Sequence, residues 1–227
     1  MRRPLSPSLS QARSRALPRL YAITDVERLG ADRVVGALAA AVDGGLAMVV
    51  VREPAAPIET VDELIARIVA ACGQELAVLV ACRGGASGSA RLELASRRSL
   101  AGVHVGGGDP SFVRVARNAL APATLVGYSA HSVDDARRAF DAGATHVSLS
   151  PVFSPLSKRS DLAPLGVDGL RDACRRLDGP VFALGGIASG NVASVRDAGA
   201  HGVATIAALL ESDDPCAVAR ALLVPWT

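Results

Sequence analysis

The sequence predicts a (β/α)8 barrel, on three observations. From residue 20 onward, eight short apolar runs alternate with longer stretches of helical period, the rhythm of repeated strand and helix units around a parallel sheet. Eight such units fill about 200 residues, close to the size of a compact barrel of this kind. Two helical stretches also end at a Gly-Ala pair, Gly143-Ala144 and Gly199-Ala200, that leads into the next apolar run, and glycine closes helices readily. An open doubly wound sheet is the alternative. It is expected to carry a glycine fingerprint after its first strand, and here that strand ends Ile23-Thr24-Asp25.

The strands are expected at 20–24, 48–52, 77–81, 102–105, 124–127, 146–150, 181–184 and 202–206. Helices are expected at 33–42 after the first strand and 61–71 after the second. A further helix begins near Pro110, after the fourth, and others follow at 133–142, 167–176, 192–198 and 215–222. Several of them open on Ser, Asp or Asn, whose side chains accept from the free N–H groups of a first turn.

Half of the 227 residues are hydrophobic, enough for a large core, and the reading is a single barrel domain over 19–227. Residues 1–18 are rich in Arg, Ser and Pro, contain no acid and lack the apolar centre of a secretory signal; they are read as a flexible tail. A net charge of +2 and 3% aromatic residues leave little to attract or stack nucleic acid. No apolar run nears the ~20 residues of a membrane span. Cys72, Cys82, Cys174 and Cys216 are scattered without metal-ligand spacing, which suits reduced thiols in a cytoplasmic protein. A homo-oligomer is left open.

In a barrel the chemistry gathers where strands end, so a few short loops carry the search. The seventh strand runs into Gly185-Gly186 and the eighth into Ile206-Ala207; backbone N–H groups there can cradle a phosphate. Arg52 ends the second strand, positioned to grip an oxyanion, with Glu53 as its orienting partner or an acid-base group; a rim salt bridge is the plainer alternative. Ser129-Ala130-His131 follows the fifth strand, and His131 either moves a proton or begins the next helix. Asp109, after the fourth strand, holds Mg²⁺ on a diphosphate or caps a helix. His104, His146 and His201 fall inside or at the starts of strands, where structural roles explain them. Cys82, at the end of the third strand, is read as an interior thiol. The single lysine, Lys158, lies beside Ser157 in the loop after the sixth strand, placed to meet an anionic ligand or to stay solvated.

Several segments together resemble the superfamily of thiamine phosphate synthase and the related thiazole tautomerase TenI. They are Leu20-Tyr21-Ala22-Ile23-Thr24-Asp25, Gly102-Val103-His104-Val105-Gly106, Gly127-Tyr128-Ser129-Ala130-His131-Ser132, Ser150-Pro151-Val152-Phe153 with Ser157-Lys158, Ala163-Pro164-Leu165-Gly166 and Ala183-Leu184-Gly185-Gly186-Ile187. The resemblance spans nearly everything from Leu20 to Leu223. It implies a TIM barrel and a thiazole phosphate ligand, its phosphate held by the backbone at Gly186 and at Ile206-Ala207.

The synthase pattern is broken in places. Of Gln-x-Arg-x-Lys at the second strand only Arg52 remains, with Val50 and Pro54 at the outer positions. The Asn-Asp after the third strand has become Ala81-Cys82, and Thr-x-Thr-Lys has become Pro155-Leu156-Ser157-Lys158. Asp109, Ser129, Ser157 and Lys158 survive. The expectation is therefore a tautomerase-like enzyme without cofactor, with His131 as general acid-base, Arg52 as an anion contact, and Glu53, Ser129 and Lys158 beside them. The first alternative is a synthase that couples hydroxymethylpyrimidine diphosphate to thiazole phosphate with Mg²⁺ at Asp109. The second is a non-catalytic regulator that binds thiazole or thiamine phosphate.

Overall fold

The eight apolar runs form parallel strands that pair in sequence order and close, β8 pairing with β1. The structure, a computed structural model, describes residues 17–154 and 162–227. The strands are β1 (Leu20–Ile23), β2 (Met48–Val51), β3 (Ala77–Cys82), β4 (Gly102–Val105), β5 (Leu125–Ala130), β6 (His146–Leu149), β7 (Val181–Ala183) and β8 (Gly202–Thr205). The helices between and after them are α1 (Val26–Leu29), α2 (Ala31–Asp43), α3 (Ile58–Cys72), α4 (Ala86–Arg97), α5 (Ser111–Ala119), α6 (Val133–Asp141), α7 (Gly166–Arg176), α8 (Val192–Asp197), α9 (Ala207–Leu210) and α10 (Pro215–Leu223). Of the tail expected over 1–18, residues up to 16 lie outside the described residues, as do Ser157 and Lys158.

Side chains alternate across each strand and so divide the core in two. Tyr21, Ile23, Met48, Val50, Leu79, Phe182 and Ala204 face the barrel interior. Their neighbours Leu20, Ala22, Val49, Val51, Val78, Val80 and Val203 pack outward against the helices. Both faces are buried, which is why the strands read as continuous apolar runs. The interior is filled partly by ring stacking: Tyr21 meets Phe182 edge-on with centroids 5.0 Å apart, and His104 and His146 lie 5.7 Å apart. Gly127 makes this layer possible. A Cβ there would stand 2.3 Å from His104 Nδ1 and 2.5 Å from His146 Nε2.

The two Gly-Ala helix ends form as expected. Gly143 takes φ 104° and donates to Phe140 O while Ala144 donates to Ala139 O; Gly199 and Ala200 repeat the arrangement on Arg196 and Val195. At the start of α6, Ser132 Oγ accepts from Asp135 N at 3.1 Å.

Two elements differ from expectation. β5 runs three residues further, to Ala130, because Ser129 pairs with Ser148 and Ala130 with Leu149; Ser129 is thus within the strand and not after it. Its glycine and serine disguise it as a turn. The helix α4 is hidden by its polar opening Ala-Ser-Gly-Ser, yet Gly88, Arg91, Leu92 and Ala95 form a buried stripe at helical spacing.

Candidate active site

The barrel mouth at the strand C-termini holds a cavity of about 300 Å³. The pleat decides what faces it. Continuing the inward alternation past each strand brings in Ile23, Arg52, Ala81, Arg83, His104, Gly106, Ser129, His131, Ser150, Leu184 and Ile206, and all of them line the cavity. A second cavity, of about 380 Å³, lies outside the barrel between α1 and α3; its wall is mostly apolar, with Glu27, Glu63 and Arg67 its charged members apart from Glu53, which borders both cavities. Of these two cavities, the mouth is the one that joins histidine, serine and arginines without an ion pair to a described residue.

Arg52 is inward and half-buried, its backbone N–H donating to Thr24 Oγ1 at 2.9 Å, while its guanidinium makes no ion pair with a described residue. Glu53 is one residue further on and falls on the other side of the pleat. Its buried carboxylate accepts from Thr24 Oγ1 at 2.6 Å and from the Val26 N–H at 3.0 Å, fastening the start of α1 to the end of β2. Both contacts fall on Oε1, which serves structure, and no ion pair with Arg52 is formed; Glu53 nonetheless borders the mouth.

His131 precedes the helix, whose cap is Ser132, and its ring lies over Gly107, where a Cβ would stand 3.2 Å from Nε2. Its Nδ1 is 2.9 Å from the carbonyl oxygen of Ser150. A carbonyl only accepts, so Nδ1 carries the proton; in the neutral ring Nε2 is then a free base at the mouth. Ser129 Oγ is 3.0 Å from His104 Nε2, which also lies 3.4 Å from Ser148 Oγ. Burial, with a smaller contribution from nearby Arg52, holds the His104 ring down to about 4, so it is neutral and tethers Ser129.

Asp109 is exposed and outside the cavity wall. Its carboxylate accepts from the Ser111 N–H at 2.9 Å and the Ser111 hydroxyl at 2.7 Å, contacts that lower its protonation range. Asp109 is thus tied to the first residue of α5, whose cap position is Pro110, and none of these contacts turns it toward the cavity. Cys82 packs outward in the helix-facing core, and burial pushes its thiol up to about 12, which makes it a poor ligand and nucleophile at neutral pH. Mg²⁺ takes hard oxygen ligands. With Asp109 turned onto Ser111 outside the cavity, Glu53 as the single carboxylate at the mouth with its Oε1 already engaged, and no cluster of three or more His, Cys, Asp or Glu suited to a metal among the described residues, those residues do not fit the ion.

Gly185 and Gly186 take φ 98° and 63° and press on the segment after β6: a Cβ at Gly186 would stand 2.5 Å from Ser154 O. Asn191 braces this turn, donating to Gly186 O at 2.8 Å and accepting from the Ala188 N–H at 2.9 Å. Ile206 lines the cavity and Ala207 opens α9 beside it. Ser157 and Lys158 lie outside the described residues.

Two residues of the mouth escaped the sequence reading. Arg83 follows β3, and its Nε lies 2.6 Å from where a Cβ on Gly106 would stand, so it rests across the end of β4. Arg91 reaches the cavity from α4 and is 5% exposed; Nη2 donates to the carbonyl oxygens of Glu53 at 2.9 Å and Ala56 at 3.4 Å, while Nη1 is buried without a partner. The available signal was an arginine in the apolar stripe of a helix, where a buried charge needs a reason.

The fold and mouth define a class: a barrel whose strand ends gather arginines and a histidine around one small cavity. Within that class, the family model described as thiamine monophosphate synthase matches residues 20–209, and the chain belongs to this family. It is 35% identical over 204 residues to a thiamine-phosphate synthase of Roseiflexus sp. (strain RS-1), covering 89% of this chain and 83% of the relative. It is 38% identical over 212 residues to one of Anaeromyxobacter dehalogenans (strain 2CP-C), covering 93% and 89%. A thiamine phosphate pyrophosphorylase from Pyrococcus furiosus superposes with a TM-score of 0.74 at 27% identity, over 91% of this chain and 94% of that one. The chain is thus a thiamine-biosynthesis barrel.

Proposed function

We propose that the chain is a thiamine-phosphate synthase that joins a hydroxymethylpyrimidine diphosphate to a thiazole phosphate. The relatives' names favour this reaction over the isomerisation first expected from the strand-end residues. In it the thiazole ring nitrogen forms a bond to the exocyclic methylene carbon of the pyrimidine. The bond from that carbon to the diphosphate oxygen breaks, and diphosphate departs with the electron pair. The protein must hold two anionic substrates and stabilise the negative charge that grows on the leaving oxygen.

One observation carries the reading: Arg52, Arg83 and Arg91 line one small cavity in which Glu53 is the one carboxylate among the described residues, while Asp109 is engaged outside it. The turn at Gly185-Gly186 and the start of α9 at Ile206-Ala207 then serve the thiazole phosphate across the mouth, and Ser129 and His131 face the rings between. The test is incubation of the purified protein with both substrates. Formation of thiamine phosphate and diphosphate is the expected result, and none forming at any metal concentration overturns it.

A second reading, a thiazole tautomerase, is favoured by the free Nε2 of His131. It predicts aromatisation of the thiazole carboxylate tautomer without any coupling.

A further inference from the structure

We infer that arginine side chains take the place of a divalent cation in holding the diphosphate, with Arg91 as the buried contact. The inference rests on the coupling reaction proposed above and concerns how its leaving group is gripped.

Arg91 is the unusual member. It is almost wholly buried, two backbone carbonyls take one of its terminal nitrogens, and the other, Nη1, is buried with nothing to donate to. An unpaired buried guanidinium is expensive to keep, and a carboxylate would relieve it; among the described residues none is paired with Arg91, nor with Arg52 or Arg83. The same wall holds three guanidinium groups against the one carboxylate of Glu53. Among the described residues of that wall Glu53 is the one opposing charge, its Oε1 taken up by Thr24 and Val26, and the third strand ends in inward Ala81 and outward Cys82.

This is the charge a diphosphate needs. Planar guanidinium forks meet its terminal oxygens in pairs, which a metal otherwise bridges. Arg83 occupies the space that a side chain at Gly106 would fill, and Arg91 is held by its two carbonyls. When the carbon–oxygen bond breaks, the electron pair collects on an oxygen already facing positive charge.

The test is calorimetric titration of the full-length protein with inorganic diphosphate in excess EDTA, beside Arg91→Met and Arg83→Met. Met fills the volume of a buried arginine stem, and Arg83 is exposed, so thermal melts of both variants should match or exceed the parent. Expected is binding without metal, weakened at least tenfold by each substitution. Binding that requires added Mg²⁺, or that both variants keep at parental strength, overturns the inference. Metal-free, arginine-dependent binding with no thiamine phosphate formed would uphold this inference and overturn the coupling reaction. Coupling that proceeds only with Mg²⁺ would do the reverse.

Discussion

His131→Asn removes the ring nitrogen that faces the mouth and alters little of the packing, since the ring is exposed and lies over Gly107. In the coupling reaction no proton is exchanged between protein and substrate, so turnover should fall less than about tenfold; isomerisation that relied on this base should fall about 10²- to 10⁴-fold. Asp109→Asn should leave coupling unchanged, because the carboxylate serves Ser111; a large loss would reopen the metal reading. His104 governs acid stability. Its ring titrates near 6.5 in the unfolded chain and about 4 in the fold, burial being the main cause. Between those values the unfolded chain binds the proton and the fold does not, so stability rises with pH across the window and is lost on acidification. The loss is roughly 3 kcal/mol, and His146 shifts in the same direction, again chiefly through burial. Urea melts at pH 7 and pH 4.5 should show it, with His104→Gln flattening the difference. Arg52 and His131 were legible as strand-end residues, and strand parity adds what that reading lacked: both fall on inward positions, whereas Glu53 lies one step off. Arg83 and Arg91 were illegible because their positions depend on the start of α4 and on its packing.

At the scale of the element, the joints are held by residues with special backbone needs. Ser99 closes α4 as glycines close α6 and α8, donating to Ser96 O while Leu100 donates to Ala95 O, yet it takes φ 51° with a side chain attached. Ser99→Gly should stabilise the fold by about 0.5–1 kcal/mol, read as a small rise in Tm. Gly88 is the opposite case. A Cβ there would stand 1.6 Å from Arg83 O, so α4 rests directly on the backbone after β3. Gly88→Ala should cost about 1–3 kcal/mol and weaken diphosphate binding, because the helix that carries Arg91 must move. The sequence marked α6 and α8 by their Gly-Ala ends, whereas the serine end and polar opening of α4 gave no such mark. β5 was shortened for a like reason: its inward positions are Gly127 and Ser129, where two histidine rings and a hydrogen bond replace apolar packing.

Across the whole molecule, the barrel was readable because eight strands buried on both faces repeat the same apolar signature with helices between them. No helix among the described residues is long and apolar enough to cross a membrane. The net charge of +2 is nearly neutral, so its arrangement matters more than its size: acids pair with arginines on the helical surface, while among the described residues the mouth arginines have no ion-pair partner. The proposed activity rests on that arrangement, and strand order alone could not reveal it. The most direct test is therefore the coupling assay itself, run with both substrates in EDTA and again with Mg²⁺. Thiamine phosphate formed in EDTA, and lost on Arg91→Met, is the predicted result; a reaction absent under both conditions, with the thiazole tautomer aromatised instead, would contradict the account.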